Sequence, residues 1–123
     1  MAYTVLVVDD DPDTRLVLRF VLQRNGFEPL EAESGPDMLA CVARQRPDLV
    51  LLDLMMPGVN GFAICSALRA NPATRDLPII VITARADEEA RALSLSAGAN
   101  DYITKPVHAR ELVARIKHVL GVA

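Results

Sequence analysis

Four runs of this sequence each end on a side chain able to do chemistry. Thr4-Val5-Leu6-Val7-Val8 ends on Asp9-Asp10-Asp11, and Leu49-Val50-Leu51-Leu52 ends on Asp53. Pro78-Ile79-Ile80-Val81-Ile82 ends on Thr83-Ala84, and Asp101-Tyr102-Ile103-Thr104 leads into Lys105-Pro106. If these ends converge, the carboxylates of Asp9, Asp10 and Asp53 share a small space. Two unit charges about 4 Å apart at an effective dielectric of about 20 repel by roughly 4 kcal/mol, so the cluster needs compensation. Oxygen-only ligands suit a hard divalent cation, and Mg²⁺, which keeps several waters beside one or two carboxylates, fits best. Lys105 supplies a second positive charge. A carboxylate flanked in this way can hold a phosphoryl group, or attack one to form an aspartyl phosphate. Taken singly the residues have plainer uses, an Asp before a helix as its cap and a Thr as the start of a loop. The combination is what points to chemistry.

Convergence requires particular elements. Short all-apolar runs bounded by turn residues read as strands buried on both faces, which places the runs ending at Asp9, Asp53 and Thr83 in the middle of a parallel sheet. Phe27-Glu28-Pro29-Leu30-Glu31-Ala32 alternates polar with apolar and carries a proline, so it belongs at one edge; the half-polar run 101–104 takes the other. Between them lie five helical stretches. Pro12 suits the first helical position, and Asn25-Gly26 stops that helix. Only Arg19 is polar between Leu16 and Leu22, so Arg15, Arg19 and Gln23 are expected to form one narrow wet stripe on an otherwise buried helix. Ser34-Gly35-Pro36 opens a second helix from about Pro36 to Gln45. A Pro57-to-Gly61 loop leads to a third over Gly61 to Ala70, closed by Asn71-Pro72. Asp87-Glu88-Glu89 supplies negative charge to the first turn of the fourth, for which Gly98 fits as the C-terminal cap. The fifth is expected from Val107 to Leu120. The alternation predicts an α/β fold, doubly wound around a five-stranded parallel sheet in the flavodoxin-like order 2-1-3-4-5. Its ligand crevice lies at the carboxyl ends of the first and third strands.

Composition bounds the answer further. The 123 residues fit one domain spanning 1–123, and 51% hydrophobic residues with only 4% aromatic ones suit an aliphatic α/β core. A net charge of −3 without a basic run gives no reason to expect direct nucleic-acid binding. Cys41 and Cys65 have neither Cys-x-x-Cys spacing nor a nearby His, so they read as small buried hydrophobes suited to a reducing compartment. With no signal peptide or apolar run near about 18 residues, a cytoplasmic protein without a membrane segment is expected.

The motifs Val-Val-Asp-Asp at the end of the first strand, Leu-Asp-Leu-Met-Met-Pro-Gly-Val-Asn-Gly around Asp53, Ile-Thr-Ala at 82–84 and Tyr-Ile-Thr-Lys-Pro at 102–106 stand in one order and spacing. In these the chain closely resembles the receiver domain of bacterial two-component response regulators, the group that includes the chemotaxis receivers, over essentially its whole length. The resemblance implies that Asp53 accepts a phosphoryl group from a sensor histidine kinase or a histidine phosphotransfer protein. It implies Mg²⁺ held by Asp53, Asp10 and the backbone carbonyl of Met55, with Asp9 acting through water. Lys105 would bind one phosphoryl oxygen and the Thr83 hydroxyl would swing towards another. The small Ala84 would leave access and donate its N–H. Tyr102 would rotate inward behind Thr83, carrying the change to the face of the fourth helix, fifth strand and fifth helix. The Lys105-Pro106 bond is cis in the family. Met55 and Arg85 occupy the two positions that tune loss of the phosphoryl group, and neither can orient water as a carboxylate or amide would; a long-lived phosphoryl state is expected.

Arg91, Asp101, Glu111 and Arg115 resemble charges with which receivers of winged-helix transcription factors pair in symmetric dimers. Ala97, Asn100 and His118 stand where further charges are common, so the match is partial. Phosphorylation-promoted dimerisation, docking on a downstream effector, or attachment to an output domain are the partner relations this implies. The plainer alternative is a solvated face whose exposed pairs each contribute at most about 1 kcal/mol. His108 and His118 read as surface residues. An enzyme reading, a Mg²⁺-dependent aspartyl-phosphate phosphohydrolase, would want a second Asp two residues after the nucleophile, where this chain has Met55. A phosphorylation-independent interaction module or a flavin binder would not need the complete cluster, and the acidic first turn would repel a cofactor phosphate. The expectation is therefore a signalling domain, not an enzyme, that promotes only its own phosphorylation and dephosphorylation.

Overall fold

The computed structural model describes residues 2–58 and 60–122. Val59, within the expected Pro57-to-Gly61 loop, lies outside them, as do Met1 and Ala123. Five strands alternate with five helices: β1 (Thr4–Val8), α1 (Pro12–Arg24), β2 (Glu28–Ala32), α2 (Gly35–Arg44), β3 (Leu49–Leu52), α3 (Gly61–Ala70), β4 (Ile79–Thr83), α4 (Glu88–Ser96), β5 (Asp101–Thr104) and α5 (Ala109–Leu120). All neighbouring strands are parallel, in the order β2-β1-β3-β4-β5. The expected order and edges are thus observed, with Pro29 on β2, which pairs on one side only.

Because side chains alternate along a strand, the central strands supply two cores. Leu6, Val8, Val50, Leu52 and Val81 pack under α2, α3 and α4, which contribute Met38, Cys41, Cys65, Leu68 and Ala90. Val5, Val7, Leu49, Leu51, Ile80 and Ile82 face α1 and α5, which add Leu18, Leu22, Leu112 and Ile116. Both cysteines are free and buried, and burial pushes the Cys65 thiol up to about 11, which keeps it protonated and inert. No described helix is long and apolar enough to cross a membrane.

Side-chain caps start four of the helices. Asp11, Ser34, Asn60 and Asp87 each accept from a backbone N–H of the first turn. Ends shift by a residue or two from expectation. α2 runs from Gly35 to Arg44, β4 continues through Thr83, and α5 starts at Ala109 after His108, whose side chain makes no capping bond. Ala97 is the C-cap of α4, and Gly98 follows it at φ +115°, a conformation a β-carbon disfavours.

The expectation for α1 is corrected. Only Leu18 and Leu22 of this helix are buried, while Leu16, Val17 and Phe20 are 41%, 60% and 59% exposed. Of the stripe expected to be wet, Gln23 is exposed and the Arg19 side chain is 42% exposed, but Arg15 is largely covered. Arg15 and Arg19 turn towards the sheet edge and grip Glu31 of β2 at 3.3 and 3.0 Å, leaving the Arg15 side chain only 15% exposed. The segment from Leu16 to Leu22 is apolar but for Arg19, and the ion pairs to Glu31 on the neighbouring strand fix which side of it faces in.

Candidate phosphoacceptor site

The sheet delivers its chemistry at one rim. Ladder bonds continue just past the strands: Asp9 N–H donates to the Ala32 carbonyl (3.1 Å), Asp53 N–H to the Val8 carbonyl (3.0 Å) and Lys105 N–H to the Thr83 carbonyl (2.8 Å). These bonds hold the first residue beyond β1, β3 and β5 in strand register. Asp9, Asp10 and Asp53 thereby each bring a carboxylate oxygen within 4.8 Å of the others. Lys105 reaches across from the far edge, its Nζ 3.0 Å from Asp9 Oδ2 and 3.3 Å from Asp53 Oδ2. Asp9 and Asp53 are buried, and Asp10 is exposed.

Burial raises the Asp53 pKa above the ordinary 3.8, and the Asp9 charge adds to this against the opposing pull of the Met55 N–H and Lys105. Burial alone would lower Lys105, but the hydrogen bond to Asp9 and the charges of both carboxylates outweigh it and hold the ammonium above its usual value. Asp53 Oδ1 accepts the Met55 N–H at 2.9 Å, which tucks the backbone of the β3–α3 loop against the carboxylate while the Met55 side chain points outward, 55% exposed. Gly61 closes this loop. A β-carbon there would lie 3.0 Å from Leu54 Cα, so the chain can turn this tightly only without one.

Thr83 is fully buried at the end of β4, and its Oγ1 accepts the Arg85 N–H at 3.3 Å rather than touching the cluster. The neighbouring Ala84 is exposed. Tyr102, expected to move inward, is already only 8% exposed, with its hydroxyl donating to the Arg85 carbonyl. The Arg85 guanidinium forks onto Asp87 at 3.1 and 2.9 Å, and Asp87 also caps α4. The Lys105-Pro106 peptide is cis. Beside Lys105 an apolar groove of about 590 Å³ opens between α1 and α5, lined by Val17, Val21, Pro106, Val107 and Leu112 among others.

On the far face, Arg115 pairs with Asp101 at 2.7 Å and Arg91 with Glu88 at 3.6 Å; Glu111 is exposed. His108 and His118 are exposed. The sequence places Arg15 only on the stripe expected to be wet and gives no sign that its Nη1 donates to the Asp9 carbonyl at 2.7 Å; Arg69, which binds carbonyls on two loops, is not singled out at all. For Arg15 the usable clue was its four-residue spacing from Arg19 opposite an edge-strand Glu; for Arg69 there was none.

The donor set is entirely oxygen, compact and open to solvent at Asp10, which suits a hard divalent cation. Comparison with known proteins agrees with this picture. The family model for the response regulator receiver domain matches residues 5–117. The phosphate regulon transcriptional regulatory protein PhoB of Escherichia coli is 46% identical over 120 residues, which are 98% of this chain and 52% of PhoB. The DNA-binding response regulator MtrA of Mycolicibacterium smegmatis is 44% identical over 117 residues, 95% of this chain and 50% of MtrA. The chain thus spans about half the length of the curated relatives it matches. Among solved structures, a response regulator from Chloroflexus aurantiacus superposes with a TM-score of 0.94 at 38% identity, covering 98% of this chain and 99% of that one. The chemotaxis protein CheY4 of Vibrio cholerae gives 0.91 at 28% identity, covering 97% and 99%. With sheet order, acid cluster and cross-sheet lysine in place, and a family match running from β1 into α5, the chain belongs to the response regulator receiver domain family.

Proposed function

We propose that this receiver domain, read as residues 1–123, takes a phosphoryl group onto Asp53 from a phosphohistidine of a sensor kinase or phosphotransfer protein. The observation that carries the reading is the convergence of Asp9, Asp10, Asp53 and Lys105 at the sheet rim. An Asp53 carboxylate oxygen attacks phosphorus, the new O–P bond replaces the P–N bond, and the imidazole leaves and is protonated from solvent. Lys105 Nζ, already facing Asp53, neutralises a phosphoryl oxygen. Asp53, Asp10 and the Met55 carbonyl would hold Mg²⁺, with Asp9 acting through water; bound there, the ion supplies positive charge to the phosphoryl oxygens. The exposed Leu16, Val17 and Phe20 on α1, with the groove running to Lys105, offer the donor protein an apolar landing surface.

Thr83 then gives up the Arg85 N–H to bind the phosphoryl group, joined by the Ala84 N–H, and the change passes through Tyr102 to the face carrying Arg91, Asp101, Glu111 and Arg115. That face serves a second copy, an effector or an output segment, and the domain works as a cytoplasmic switch rather than as an enzyme acting on other molecules. Intact mass after incubation with Mg²⁺ and acetyl phosphate tests the central claim. One phosphoryl group should be gained, and none with EDTA or in Asp53→Asn; a folded protein that gains none overturns the reading.

Lifetime follows from the same geometry. With Met55 outward and Arg85 tied to Asp87, no side chain at the two tuning positions is placed to orient water at Asp53. The phosphorylated protein is expected to decay several-fold more slowly than a Met55→Asn/Arg85→Glu double variant, followed by mass after removal of the donor. Equal decay would refute this.

A further inference from the structure

Asp9 is engaged at each of its polar atoms. Its N–H donates to the Ala32 carbonyl, Oδ1 accepts the Asp11 N–H at 3.0 Å, Oδ2 faces Lys105, and its carbonyl accepts Arg15 Nη1 at 2.7 Å. The last bond has no part in the chemistry so far. That carbonyl lies in the planar peptide joining Asp9 to Asp10, so a guanidinium fixed on it limits where the Asp10 side chain can start. Arg15 is itself aimed. Its Nε donates to Glu31 Oε1 at 3.3 Å, and Arg19 holds the other oxygen of Glu31 at 3.0 Å. Glu31 directly precedes Ala32, whose carbonyl holds the Asp9 N–H, so the bonds close a ring linking β2, α1 and the β1–α1 turn.

We infer that Arg15 is a positioning residue for the divalent-cation site, holding the Asp9–Asp10 peptide so that Asp10 is presented together with Asp53. Glu31 aims it and Arg19 does not touch the peptide. This rests on the proposed Mg²⁺-dependent function. Charge alone argues the other way, since a cation near an acidic cluster weakens Mg²⁺ binding and its removal would tighten it. Arg15→Lys therefore separates the two effects: it keeps the charge but lacks the planar fork that spans the Asp9 carbonyl and Glu31.

Calorimetric titration of the chain with Mg²⁺ is the test, with Arg19→Lys as control and a thermal melt without Mg²⁺ to verify folding. Arg15→Lys is expected to weaken Mg²⁺ binding by about tenfold, in the range for partners that orient metal ligands, while Arg19→Lys binds as the wild type does. The Mg²⁺ concentration for half-maximal phosphorylation by acetyl phosphate should rise by the same factor, with the saturating rate unchanged. Arg15→Met should weaken binding too, against the charge effect, and carries the test if the lysine variant does not fold. Wild-type Mg²⁺ affinity in a folded Arg15 variant overturns the inference. A wild-type protein that binds no Mg²⁺ overturns the site reading beneath it.

Discussion

Asn in place of Asp53 is expected to raise stability at neutral pH by about 1–2 kcal/mol, although it removes the proposed acceptor. Asp53 is buried beside Asp9, and its folded-state pKa lies above the ordinary 3.8, chiefly because ionising it takes a charge out of water. A carboxylate shifted upward binds its proton more tightly when folded. Ionising it therefore costs folding free energy that is absent below the unfolded pKa and complete once pH has passed the folded one. The amide removes the charge but keeps an oxygen for the Met55 N–H, and Lys105 keeps Asp9 at 3.0 Å. Urea unfolding at a series of pH values checks this. The variant should lead at pH 7, and its advantage should shrink towards pH 4 and vanish below. Mg²⁺ bound at the proposed site would stabilise the folded wild type by mass action, so added Mg²⁺ should narrow the gap at pH 7. A variant less stable than wild type at neutral pH would show that the attraction of Lys105 and the Met55 N–H outweighs burial and repulsion.

Arg69→Met is expected to destabilise the fold by about 3 kcal/mol, read as a lower urea midpoint, with phosphoryl uptake retained by the folded fraction. The Arg69 side chain leaves the last turn of α3 and donates to the Leu77 carbonyl at 2.7 Å, the Gly98 carbonyl at 3.0 Å, the Arg75 carbonyl at 3.1 Å and Asn100 Oδ1 at 3.0 Å. It joins the α3–β4 loop to the α4–β5 loop at the amino end of the sheet, the end opposite the acid cluster. The fit is close: a β-carbon on residue 98 would fall 2.5 Å from Arg69 Cγ. Met keeps the apolar stem but leaves half-buried carbonyls without their donor. Lys, with one point of donation, should recover only part of the loss. A midpoint within experimental error of wild type would mean that water replaces the guanidinium freely.

The sheet was legible in the sequence because its information is local. Four or five consecutive aliphatic residues bounded by turn residues read as a doubly covered strand, and Pro29 places its strand at an edge; strand order and the meeting of Asp9, Asp53 and Lys105 follow from those placements. α1 was not legible in the same way. With every residue but Arg19 apolar from Leu16 to Leu22, its pattern names no single inward face, and the choice was made by Glu31, sixteen residues from Arg15 and on another element. Arg69 is the extreme case. Apart from the Asn100 side chain its partners are backbone carbonyls, which every residue carries, so little in the side chains of 74–77 or 98–100 announces the contact. At the site, the identities of the charged groups were readable, but the engagement of Asp9 at each polar atom was not, since half of it is again backbone.

The pairing of Arg115 with Asp101, and of Arg91 with Glu88, bears on how two copies of this chain would recognise one another. Each arginine on that face already has an acid of its own chain. A symmetric partner would therefore offer these arginines an exchange of ions rather than additional ones, and a swap of like for like contributes little net adhesion. Leu95, 37% exposed one turn along α4 from Arg91, would have to supply the surplus. In such a dimer the charges would act as a register, admitting a partner whose acids fall opposite these arginines and refusing one that would leave them stranded.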